Sequence, residues 1–126
     1  MTERVLRWKA AWESRDPNVV AALYADDATH ASALVPHLYP EVDGAVLHGV
    51  EQVREYARRG LARFSNLEFR LATVVEDATR SAVEYRRHSN VDGDHPAHVL
   101  ELLEWRGERL ATVRVFHFAP HAPEPR

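Results

Sequence analysis

Apolar residues recur at helical spacing from the start of the chain. Between Glu3 and Ser14, Val5, Trp8, Ala11 and Trp12 fall three or four positions apart, which predicts a helix with both indoles on one buried face. In "RDPNVVAALYADD", Asp16 is a candidate N-cap and Pro17 stands at the first helical position, where its missing N–H costs nothing. A second helix is therefore predicted, with Val20, Leu23 and Tyr24 as its inner stripe and Asp26-Asp27 at its end. Thr29 to Val35 can be extended, and Pro36, Pro40 and Gly44 punctuate the next segment into a loop. "GVEQVREYARRGLARF" then restores the helical period through Val50, Val53, Tyr56 or Ala57, Leu61 and Phe64. The run "REYARRGLAR" reads as the solvated face of this third helix.

After Ser65 the period changes to alternation, and four strands are predicted at Leu67–Val75, Arg80–Ser89, Ala97–Trp105 and Arg109–Phe118. The turn signals between them are Glu76-Asp77, Asp92-Gly93 and Arg106-Gly107, short enough for antiparallel hairpins. Three helices followed by long strands make an α+β order, in which the antiparallel sheet must curl around the N-terminal helices to bury one face of each strand. The last two strands are apolar on both faces, since Leu100, Leu102, Phe116 and Phe118 alternate with Val99, Leu103, Val113 and Val115. The outer face needs cover, and a second copy of the chain joined sheet to sheet is the simplest cover, so a homodimer is expected. One domain over residues 1–118 and a proline-rich, disordered tail over 119–126 are expected.

The chain has 126 residues, enough for one sizeable core. Its 16 Lys and Arg against 19 Asp and Glu, a formal charge of −3, give no electrostatic reason to expect nucleic acid or an anionic membrane as partner. A small-molecule ligand fits better. The absence of cysteine excludes disulfides, thiolate metal sites and cysteine nucleophiles. The opening "MTERVLRWKAAW" carries charges where a secretory signal needs an apolar core, and no run reaches membrane-spanning length, so a soluble, cytoplasmic protein is expected.

The segments "WKAAWESRDPNVVAALYADDATH", "HGVEQVREYARRGL" and "HVLELLEWRGERLATVRVFHF", in this order and spacing, resemble the nuclear transport factor 2-like superfamily, and within it SnoaL-like polyketide cyclases and ketosteroid isomerases. The resemblance implies a cystatin-like α+β half-barrel with a pocket between the curled sheet and the helices. It implies that Trp8, Trp12, Tyr24 and Tyr56 line the pocket, and that the loop from Pro36 to Gly44 lies near its mouth. Strand alternation phased on Val83 and Tyr85 also turns Arg87 inward. Glu101 falls where the isomerases carry the protonated carboxylic acid of their oxyanion hole, a known example of a carboxyl kept neutral by its surroundings. His117 matches an inward position on the last strand. The general-base aspartate of the isomerases falls here on Ser32, which takes up no proton near neutral pH, and their oxyanion tyrosine of the first helix is replaced by Trp8. A true ketosteroid isomerase is therefore not expected.

The residues give two readings of most candidates. Asp26-Asp27 caps a helix-to-strand junction or, through Asp27, reaches the pocket as an acid/base group. His30, in phase with Ser32 and Leu34, enters the pocket or sits satisfied beneath the loop. Glu101, inside the apolar run "HVLELLEW", must be paired, protonated or solvated; a salt bridge to Arg87 is one solution, with Glu101 then ionised and His117 or His30 titrating. The acid/base candidates are thus Glu101, His117, His30 and Asp27, and the ligand-contacting candidates Trp8, Trp12, Tyr24, Ser32, Tyr56, Tyr85 and Arg87. None of the eight histidines shows the spacing that signals zinc, and no metal or other cofactor is expected. Cofactor-free proton transfer, as in isomerisation, cyclisation or dehydration, and non-catalytic ligand binding or assembly both fit this set.

Overall fold

The computed structural model describes residues 2–119, so all of the predicted tail except Ala119 lies outside the described residues. Helix α1 (Glu3–Glu13) buries Val5, Trp8 and Ala11, as their spacing requires. Arg15, in the left-handed region at φ 59°, turns the chain into α2 (Pro17–Ala21), where Asp16 caps the backbone N–H of Asn18. Helix α2 is one short turn and does not reach the two aspartates. Tyr24 already opens strand β1 (Tyr24–Ser32), because the Leu23 carbonyl accepts the Leu110 N–H at 2.7 Å and draws the chain into the sheet.

A single turn, α3 (Val35–Leu38), and a three-residue strand, β2 (Val46–His48), occupy the segment expected to be an extended piece and a loop. Helix α4 (Val50–Leu61) is the predicted third helix, with Val53, Tyr56, Ala57 and Leu61 on its buried face. The four long strands follow within a residue or so of their predicted bounds: β3 (Leu67–Glu76), β4 (Arg80–Ser89), β5 (Ala97–Arg106) and β6 (Arg109–His117). Gly107, at φ 63°, opens the two-residue turn between β5 and β6, a position where a positive φ matches the strand twist.

The six strands form one sheet in the order β2-β1-β6-β5-β4-β3. All pairs are antiparallel except β1 with β6, which run parallel with His30 opposite Val113 and Ser32 opposite Val115. This pairing places the first strand beside the last and closes the helices over the concave face. The inner row of β5 is Val99, Glu101, Leu103 and Trp105, all buried. Trp8 is fully buried against this face, its ring 5.3 Å from Phe69 and 5.4 Å from Tyr85. On the convex face Phe116 and Phe118 remain 48% and 49% exposed and Val75 63%. No helix among the described residues is long and apolar enough to cross a membrane.

Candidate functional site

Between the concave face and α4 lies a cavity of about 70 Å³. That is room for about five water-sized groups, well below the interior of a site that engulfs a drug-sized molecule. Strand alternation supplies one wall: Tyr85 and Arg87 from β4, Val99 and Glu101 from β5, Val115 and His117 from β6. Helical periodicity supplies the other, since Tyr56, Gly60 and Arg63 stand at i, i+4 and i+7 along α4 and its end. His30 and Ser32 reach the cavity from β1, and Leu34 and Leu38 close it from the α3 segment. That segment is pinned to α4 by Arg59, which pairs with Glu41 at 2.6 Å, stacks over the Tyr39 ring at 4.4 Å and donates to the Leu38 carbonyl. The expected position of the loop near the mouth is thus accounted for by one arginine.

Glu101 is the chemical centre of this arrangement. It is only 5% exposed, and its Oε1 accepts the Tyr85 hydroxyl at 2.6 Å. Oε2 has no hydrogen-bond partner among the described residues, nor have the indole N–H groups of Trp8 and Trp12. Burial pushes the carboxyl up to about 7, while Tyr85 and the nearby Trp8 indole act in the opposite direction. The expected salt bridge to Arg87 does not form. Arg87 turns instead to Asp92, with Nη2 at 2.7 Å and Nε at 3.0 Å, in a hairpin loop that also orients Asp92 through Ser89. Because Oε1 is taken, the proton of the neutral acid belongs on Oε2, the oxygen without a partner.

His30 is 2% exposed, with Nδ1 2.9 Å from the Tyr24 hydroxyl and its ring 5.4 Å from that of Tyr56. Burial lowers its pKa from 6.5 to about 4, so it is neutral at pH 7. Its Nε2 is free to accept a proton only in the tautomer whose Nδ1–H donates to Tyr24. Burial likewise raises the phenol of Tyr24 well above the usual value, with the Glu101 charge adding to it, and Tyr24 stays protonated. His117 is exposed at the rim, where burial of part of its ring and then the Arg87 charge lower its pKa.

Of the residues predicted for the site, Glu101, His30, His117, Trp12, Ser32, Tyr56, Tyr85 and Arg87 are brought together around the cavity. Three are not. Trp8 lies behind the wall as core, supporting Tyr85, and Tyr24 lies behind His30. Asp27 is far from acid/base duty: it sits exposed on β1, paired to Arg106 at 2.8 Å, and that guanidinium holds its carboxyl below the usual value. Asp26 is exposed beside it, so Asp26-Asp27 is the surface part of a strand and not a helix end. Sequence reading missed Arg63, which it left on the solvated face of the helix; its i+7 spacing from Tyr56 was the available signal. Among the described residues no three His, Asp or Glu side chains gather as a metal site would require.

A sequence description of the SnoaL-like domain matches residues 5–119. No curated protein matches the chain. Among solved structures, a SnoaL-like protein of unknown function from Burkholderia thailandensis superposes with a TM-score of 0.74 at 21% identity, covering 90% of each chain. A protein with a ketosteroid isomerase-like fold from Catenulispora acidiphila, in complex with trimethylamine, gives 0.73 at 24% identity over 92% of this chain and 85% of that one. An uncharacterised cystatin-fold protein from Novosphingobium aromaticivorans gives 0.69 at 18% identity over 90% and 95%. At these identities the structures share the fold, and the cone with its helical cover is common ground with them.

Proposed function

This chain belongs to the SnoaL-like domain family, and from that premise and the geometry of the cavity we propose that it binds a compact apolar or aromatic carbonyl or hydroxyl compound and moves a proton on it without a cofactor, as an isomerase, cyclase or dehydratase does. The observation that carries this reading is the Glu101–Tyr85 pair. A buried carboxyl whose pKa stands near 7 and whose Oε2 is unpaired can donate to an oxygen on which negative charge develops. His30 serves as the acceptor within the cavity and His117 as the exchangeable group at its rim.

Ser32 in place of a general-base carboxylate favours a second reading, a binder that does no chemistry. The two separate in deuterated water. If the chain is an enzyme of this class, it exchanges α-protons of some members of a panel of small aryl and alkyl ketones above the buffer rate, and Glu101→Gln lowers that exchange at least tenfold. Ketones that bind but exchange no faster than in buffer leave the binding reading alone standing.

The proposed working form is a homodimer joined by the convex sheet face. Exposed Phe116 and Phe118, with Leu100 and Leu102 between β4 and β6, support it, since so apolar a face is uncommon on a monomer. The unmodified chain then sediments as a dimer at micromolar concentration, and Leu102→Glu, which sets a charge in the contact, moves it toward monomer. A monomer from the unmodified chain rules the interface out.

A further inference from the structure

The charges around the cavity are lopsided. Two guanidiniums, Arg63 and Arg87, line it with two imidazoles, His30 and His117, against the single carboxyl of Glu101. Burial raises the Glu101 carboxyl to about 7, so it carries only part of a negative charge at neutral pH, and the Arg87 charge is matched by Asp92, whose side chain is nearly buried. Arg63 has no carboxylate partner among the described residues. Its Nε donates to the Gly60 carbonyl at 3.1 Å, a contact that suits the last turn of a helix, and its guanidinium carbon lies 5.0 Å from the centre of the Phe64 ring. The Arg87 guanidinium lies over the same ring at 5.3 Å. One phenyl ring thus gathers two positive charges, with only one negative charge between them. Capping Gly60 uses a single N–H of Arg63, and the two terminal nitrogens of its planar fork make no hydrogen bond within the described protein.

A neutral occupant leaves this arrangement as it is, and a cation adds to the repulsion. An anionic group relieves it, and a carboxylate matches the flat fork of a guanidinium with two parallel hydrogen bonds. The apolar walls set by Tyr56, Phe69 and Val99 ask for the opposite character from the rest of the ligand. Resting on the reading of the cavity as a ligand site, we infer that the pocket selects a compact monocarboxylate whose apolar or aromatic body enters the cavity and whose carboxylate is held at the mouth by Arg63, with Arg87 beside it. The field of these arginines is already felt by their neighbours: partial burial and then the Arg87 charge lower the pKa of Arg63, and burial and then Arg87 lower that of His117. A carboxylate at the mouth also brings a second negative charge toward Glu101 and favours its protonated, donating form.

Benzoate and its neutral isostere benzamide, titrated by NMR into the labelled full chain at fixed ionic strength, test the inference. Benzoate should bind at least tenfold more tightly than benzamide, with shifts at cavity residues. Arg63→Gln should reduce benzoate to the level of benzamide and leave benzamide unchanged. Arg58→Gln, an exposed arginine of the same helix paired to Glu55, should change neither. An unchanged thermal midpoint shows that Arg63→Gln is folded. Equal affinities for the two compounds, or benzoate binding that survives Arg63→Gln, overturn the carboxylate selection while the cavity remains a ligand site. Saturation by neither compound overturns the selection and counts against the ligand site as well.

Discussion

Trp8→Ala should lower the stability of the fold by about 3–5 kcal/mol, the usual loss on replacing a buried indole with a methyl group. Trp8 is 0% exposed and touches the rings of both Phe69 and Tyr85, so no neighbouring chain segment is free to collapse into the space it leaves. A domain of this size is stable by only about 5–15 kcal/mol, which makes this a large share of the total. The loss extends to the site, because Tyr85 rests on Trp8 and holds Glu101. Trp12→Ala should have the smaller effect on stability. Its indole lines the cavity and is only partly buried, so its removal enlarges a space that already exists. Urea denaturation of both variants checks the order: a larger loss for Trp12→Ala would show that the phase of α1 is wrong.

The second large effect is a pH dependence hidden in the unmodified chain. The folded state raises Glu101 from 4.5 to about 7 and lowers His30 from 6.5 to about 4. The neutral form of Glu101 is the one the fold favours, so its contribution is fully present below pH 4.5 and lost as pH rises through about 7. The neutral form of His30 is also favoured, so its contribution is present above pH 6.5 and lost as pH falls through about 4. At about 1.4 kcal/mol per pKa unit, each amounts to about 3 kcal/mol. The two run in opposite directions over the same window and largely cancel. Single substitutions expose them. Between pH 7 and pH 4.5, Glu101→Gln should lose about 2 kcal/mol of stability, and His30→Gln should gain about as much. Urea midpoints at three pH values within this window read the effect directly. Parallel profiles for the variants and the unmodified chain would show that neither group is displaced from its ordinary pKa.

Much of the fold was legible because it is written in local periodicity. The strands from Leu67 onward, the α1 face of Val5, Trp8 and Ala11, and the α4 face of Val53, Ala57 and Leu61 all follow from spacing that a helix or strand must satisfy to bury its apolar side. So did the inward row that contains Val99, Glu101 and Leu103. Only the second half of the first strand was legible, since Thr29 to Val35 can be extended, while its start reads as the end of a helix. "YADDATHAS" carries little β-branched or aromatic character, and what makes it a strand is a parallel partner more than eighty residues further along the chain, a non-local pairing that leaves no trace in local pattern.

The same division runs through the site. Sequence alone determined that Tyr85, Arg87, Glu101 and His117 face one side of the sheet, because alternation fixes direction. It determined too that a carboxyl at position 101 would be buried in apolar surroundings. Only the tertiary structure decided who would answer that carboxyl. Tyr85 on the neighbouring strand reaches it, while the nearby loop offers Asp92 to Arg87 and removes the expected ion pair. Likewise only the packing decided that Asp27 points to Arg106 at the surface, that Trp8 is core and Trp12 wall, and that Arg63 turns from the solvated face to the cavity mouth. The reason is physical: the period of a helix or strand fixes where a side chain points, but pairing, desolvation and pKa depend on which atoms from distant segments arrive within a few ångströms of it, and that is set when the elements pack.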